Sequence, residues 1–130
     1  MDILCIPYIA NILILLPVAP LTLLGGKWGN RLVFEGRFAE SAGTRTILGS
    51  MWAAILLTSA VGVFAPVAMA PVLVLQVVYK SLWLLVHAIP CLIKGQMREV
   101  PRGVSISFIV IVATYPWVIP WNHLLAPISP

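Results

Sequence analysis

The side chains best equipped for chemistry in this sequence lie inside one apolar stretch. Gln76, Lys80, Trp83 and His87 are separated by four, three and four positions. At about 100° per residue, an α-helix stacks them in one narrow stripe on a single face. An amine and an amide on such a face suit a carboxylate, a quinone carbonyl or another electron-rich group, and the imidazole either carries a proton or is held by a hydrogen bond. Ionisable groups in a membrane helix are expensive in lipid, so the stripe should face protein or trapped water.

That cost follows from the surrounding sequence. Of 130 residues, 61% are hydrophobic and only 9% charged, against roughly 25% charged in soluble domains. All the charges except Lys80 lie at the start of the chain or in two hydrophilic segments, 25–45 and 94–103. The uncharged runs between them predict an all-α fold: an integral membrane four-helix bundle forming one domain over residues 1–130. The expected spans are 3–24, 46–64, 72–93 and 104–125, each near the ~20 residues needed to cross a ~30 Å hydrocarbon core. A β-barrel would alternate polar and apolar residues, and stretches such as 72–78 and 106–113 do not. Met1-Asp2 lacks a basic n-region and no small-x-small site follows, so the first span is expected to be retained. Pro7, Pro17, Pro20, Pro116 and Pro120 predict kinks or broken turns in the first and fourth spans.

Both hydrophilic segments are net basic, and four spans put them on one side of the membrane. The positive-inside rule makes that side cytoplasmic and both termini external, with anionic lipid headgroups as the partners of the basic residues. Nucleic acid is not expected, because the basic residues are split between loops without base-stacking aromatics. In the first loop, Trp28, Leu32, Phe34 and Phe38 alternate with charges. This suggests a short interfacial helix between helices 1 and 2, although Gly29, Gly36 and Gly43 leave an irregular loop open. Trp117 and Trp121 read as an outer interfacial anchor and Trp28 as an inner one. Gly49 with Ala53, and Ala60 with Phe64, offer a partial small-residue face on span two, and Thr44-Arg45-Thr46 a helix start.

A rise of ~1.5 Å per residue puts Lys80 about 12 Å below the outer end of its span, near mid-membrane. No carboxylate is expected there. Lys80 must therefore be neutral, snorkel to the surface, or meet a ligand or a partner subunit's acid. Asn11, Thr58, Ser59, Thr114 and Tyr115 fall within about two turns of the same level. They form either a polar pocket or interhelical hydrogen-bond glue. His87 and His123 belong to opposite halves of the membrane, as do Cys5 and Cys91, which argues against a bis-histidine haem, a disulfide or a metal site. The cysteines read as packing residues.

The phrase Gln76-Val77-Val78-Tyr79-Lys80-Ser81-Leu82-Trp83-Leu84-Leu85, with Gly43-Thr44-Arg45-Thr46, resembles small bacterial inner-membrane proteins of four helices, similar to DoxX-like families. The resemblance implies a multi-pass protein of the bacterial plasma membrane and transfers no residue roles. No cofactor is expected, and the lack of a paired cysteine motif, a membrane-embedded acid or a phosphate loop argues against a self-contained enzyme, pump or ATPase. The leading expectation is a non-catalytic accessory subunit or homo-oligomer whose Gln76/Lys80/His87 face meets a partner or bound lipid. The alternative is a carrier or ligand-binding bundle in which Lys80 engages an anionic or carbonyl-bearing molecule, with Gln76, Tyr115, His87 and Asn11 around it.

Overall fold

The structure, a computed structural model, describes residues 2–126. It is all-helical, with no strand among those residues. Three helical stretches are long and apolar enough to cross a membrane: Cys5–Leu24, Ala42–Phe64 and Ala70–Ile93. Arg102–Trp117 is a shorter apolar helix. A third or less of each long apolar stretch is buried inside the protein. Leu13, Leu57, Phe64, Val86 and Ile93 project outward, and an apolar exterior of this extent is far beyond what a soluble monomer exposes.

Helix α1 (Cys5–Leu24) runs without interruption through Pro17 and Pro20, so the break expected in the first span is not there. Helix α2 (Gly26–Phe34) follows at once and buries Gly29, Asn30, Val33 and Phe34 while Trp28 stays exposed. Helix α3 (Ala42–Phe64) starts four residues before the expected position 46, because Ser41 in extended conformation accepts the Thr44 N–H at 3.4 Å. Thr44, Arg45 and Thr46 therefore lie in its first turns. Arg45 then donates to Glu40 at 3.0 Å and to the Thr22 carbonyl at 2.9 Å, tying this end of α3 to the end of α1.

The α1–α3 pairing is the most extensive in the protein. A Cβ at Gly49 would lie 2.6 Å from the Leu23 backbone, and one at Gly62 2.5 Å from the Tyr8 ring. Gly49 and Gly62 are thus the small residues that permit close approach, whereas Ala60 and Phe64, expected on that face, are exposed.

Helix α4 (Ala70–Trp83) passes through a π-helical turn (Leu84–Ala88) into α5 (Ile89–Ile93). Pro90 cannot donate to the Val86 carbonyl, and its ring would crowd it in a regular helix. The wide turn relieves this conflict, with Ile89 N–H reaching back five residues to Leu84. Helix α6 (Arg102–Thr114) ends in a 3-10 turn over Tyr115–Trp117, and α7 (Trp121–Leu125) follows Pro120. A continuous helix over 104–125 is therefore not formed; the break expected at Pro116 and Pro120 is.

The hydrophilic segments meet at one end of the bundle. Arg37 donates to the Met97 and Val100 carbonyls at 2.7 and 3.2 Å, and Glu35 accepts the Gly103 N–H at 2.8 Å. At the other end Tyr8 donates to Pro66 in the α3–α4 turn at 2.6 Å. One apolar cluster, around Leu15, Phe34, Trp52 and Phe108, lies toward the hydrophilic segments, and another, around Tyr8, Leu73, Ile111 and Tyr115, toward the far end. Between them lies a polar layer of Asn11, Ser59, Gln76 and Lys80.

Candidate functional site

Along α4, Leu73, Gln76 and Lys80 occupy one face by their spacing of three and four, and all three are buried. Gln76 is 0% exposed and Lys80 4%. The ammonium does not snorkel. Lys80 Nζ donates to Gln76 Oε1 at 2.8 Å, one turn back along its own helix. It also lies 5.3 Å from the Tyr79 ring centroid and 5.2 Å from that of Phe108, within the range of a cation–π attraction. Neither ion pair among the described residues includes it. The Gln76 Nε2 amide is the one buried side-chain polar atom among the described residues without a hydrogen-bond partner. Leaving such a group unsatisfied costs about 1–3 kcal/mol.

Asn11 belongs to the same layer and is bonded through both its amide nitrogen and its carbonyl. Its amide donates to Ser59 Oγ at 3.0 Å, and its carbonyl accepts a short hydrogen bond from the Tyr115 hydroxyl, which also reaches the Pro7 carbonyl at 3.0 Å. This chain links α1, α3 and the turn after α6. Thr58 and Thr114 bond carbonyls of their own helices and do not join it.

His87 is separated from Lys80. The π-helical turn carries it to the hydrophilic end, half-buried, with Trp83 at 5.3 Å and Phe38 at 5.5 Å between ring centroids. Its Nε2 lies 3.0 Å from the Glu99 carbonyl, which can only accept, so that nitrogen carries the proton. Along the expected stripe, Gln76 and Lys80 are buried in the interior, while His87 stays beside Trp83, is half-buried and reaches the 97–99 turn.

A cavity of about 310 Å³ opens beside the polar layer. Lys80, Gln76 and Asn11 lie on its wall, together with Trp52, Phe108 and Glu35. Tyr115 is not on this wall; it positions Asn11. Glu35 was expected only as a loop charge. It caps α2 in a left-handed conformation (φ 59°), uncommon for a residue with a side chain. Its carboxylate is held by the Gly103 N–H at the start of α6 and by Arg37 at 3.6 Å. Its sequence signal is slight: an acid followed by Gly36 at a helix end marks a turn, not a cavity. Trp52 Nε1 donates to the Tyr79 hydroxyl at 3.0 Å, fixing two aromatic walls near the lysine. Among the described residues, no group of three or more His, Cys, Asp or Glu side chains comes together; Cys5 and Cys91 are buried free thiols.

No protein family, curated protein or solved structure matches the chain, so its geometry alone carries the functional reading.

Proposed function

We propose that this chain is a small multi-pass membrane protein whose helical bundle binds a hydrogen-bond-accepting small molecule or lipid at Lys80. The observation that carries this reading is the cavity beside a buried, salt-bridge-free lysine and an unpartnered Gln76 amide. In an apolar bundle a free ammonium and a free amide are costly unless something completes them. An anionic or carbonyl oxygen in the cavity supplies what both lack. The accessory-subunit reading placed the same face against a partner chain; burial of Gln76 and Lys80 favours a ligand within the bundle instead.

In this reading α1, α3, the α4–α5 stretch and α6 with its following turns each cross a bacterial plasma membrane, and α2 lies at the interface. The hydrophilic end, where Arg37 meets 97–100, faces the cytoplasm and its anionic headgroups, and both termini are external. The exposed Trp28 at one end and Trp117 at the other support interfacial anchoring.

The test is purification of the full chain and of Lys80→Met in mild detergent, followed by mass spectrometry of the small molecules extracted from each. A molecule held by wild type and lost from the variant is expected. Identical extracts from two equally folded proteins would refute a lysine-dependent site.

A further inference from the structure

We propose that the occupant is a single-chain carboxylate, its head at Lys80 and Gln76 and its aliphatic chain in a groove between α1 and α6. This deepens, and rests on, the ligand-binding reading above.

The head is defined by what the polar layer leaves unused. Lys80 Nζ spends one hydrogen on Gln76 Oε1, and Gln76 Nε2 spends none. Asn11 spends one amide hydrogen on Ser59 and its carbonyl on Tyr115. Lys80 and Gln76 therefore offer unspent N–H donors on two neighbouring side chains, and an anion beside them would hold the amine in its protonated form. They match a monoanion with two equivalent oxygens, one for each side chain. A phosphodiester head has two such oxygens as well, but it brings glycerol and headgroup atoms that need partners of their own. Besides Lys80 and Gln76, the polar side chains on the wall are Asn11 and Ser107, which bond within the protein, and Glu35, held by the Gly103 N–H and Arg37; the rest is apolar, with Leu15, Trp52, Phe108 and Ile111, and Trp52 Nε1 is already committed to Tyr79. Burying extra polar atoms there without partners is unfavourable. A carboxylate has only its two oxygens to satisfy.

The chain is defined by the groove. A second cavity, of about 510 Å³, lies between α1 and α6. It borders the first at Ile14, Ser107 and Ile111, so the two lie side by side. Among the described residues α1 and α6 scarcely touch, whereas α1 is closely packed on α3 and α6 rests on α4 and α2. In this proposal the seam between them is the sideways route by which the chain reaches Lys80. Of its three hydroxyl-bearing residues, Ser107 and Thr114 donate to the Val104 and Val110 carbonyls of their own helix, and Tyr115 to Asn11 and the Pro7 carbonyl. The groove therefore presents no unpaired hydroxyl hydrogen to its occupant and suits a hydrocarbon chain.

The test uses delipidated full-length protein and native mass spectrometry, with palmitate, hexadecanol, palmitoyl lysophosphatidylcholine and octanoate as probes. One palmitate per chain is expected, with hexadecanol and the lysophospholipid at least about ten-fold weaker because each loses charge-assisted pairing or leaves polar atoms stranded. Lys80→Met and Gln76→Glu should each weaken palmitate by at least about ten-fold, the first by removing the charge and the second by neutralising it in place. Ile6→Trp, on the part of the groove farther from Asn11, should weaken palmitate at least about ten-fold more than octanoate. Equal binding of the lysophospholipid, or palmitate retention by both head variants, overturns the assignment. If a lysine-dependent molecule co-purifies but palmitate does not bind, the carboxylate assignment fails while the ligand site stands. If neither is seen, both readings fail.

Discussion

Gln76 and Lys80 are each other's only side-chain hydrogen-bond partner among the described residues, so removing one must change what the other costs. In ligand-free protein, Gln76→Leu deletes the unsatisfied amide, a gain of about 1–3 kcal/mol, but leaves a 4%-exposed amine with no hydrogen-bond partner. Stranding a buried charge costs about 3–5 kcal/mol, and the net is a destabilisation of roughly 2 kcal/mol. Lys80→Met keeps the long stem and removes the buried ammonium, at the expense of the only donor to Gln76 Oε1. Several kcal/mol of relieved desolvation oppose about 1–3 kcal/mol for the newly stranded carbonyl, so this variant should be neutral or stabilised. In the Lys80→Met background Gln76→Leu removes both the unsatisfied amide nitrogen and the stranded carbonyl, and should stabilise by about 2–6 kcal/mol. The effect of one substitution thus changes sign with the other. Equilibrium unfolding of the four proteins in mixed micelles, after removal of bound lipid, measures the cycle. A Gln76→Leu effect that is the same in both backgrounds to within about 0.5 kcal/mol would show that the two side chains do not share a bond. Lys80→Met losing more than about 2 kcal/mol would mean that the ammonium has a stronger partner than Gln76.

Other perturbations separate the roles of neighbouring residues. Gly62→Val and Gly49→Val should each cost about 1–3 kcal/mol or more in the same unfolding assay, because their side chains would meet the Tyr8 ring and the Leu23 backbone at 2.5 and 2.6 Å; Gly43→Ala, with nothing within 4 Å, should be silent. Asn11→Leu should destabilise by about 1–2 kcal/mol, since it breaks the links to both Ser59 and Tyr115, while Thr58→Val should change stability by less than about 0.5 kcal/mol. In a chain with Cys5 and Cys91 replaced by alanine, Arg98→Cys should react with a membrane-impermeant maleimide only in inverted vesicles and Asn122→Cys only in intact cells; the reverse pattern would invert the orientation.

The helical class and the apolar segments were legible because both depend on local properties: long uncharged runs, and a lysine and glutamine four apart on one helix. The inward direction of Gln76 and Lys80 was legible for the same reason, since a helix of regular pitch has one polar face to hide. That regularity failed at Leu84–Ala88, where Pro90 forces a wider turn and His87, still beside Trp83, bonds the Glu99 carbonyl. It failed again after Thr114, where Tyr115-Pro116 and Pro120 divide the final apolar segment and fold Ile119 back onto Leu4 and Tyr8. Pro17 and Pro20 carry the same local signal and leave α1 unbroken. The effect of a proline therefore depends on the packing around the donor it removes as well as on its own ring. The contacts at the site were beyond local reading altogether. Glu35 lies 45 positions before Lys80 in the chain yet on the wall of the same cavity, and Asn11 finds Ser59 and Tyr115 across 48 and 104 positions. Residue types and spacing determine which groups each helix must bury; only the approach of helices at Gly49 and Gly62, and the gap left between α1 and α6, decides which of them meet and which remain unpaired.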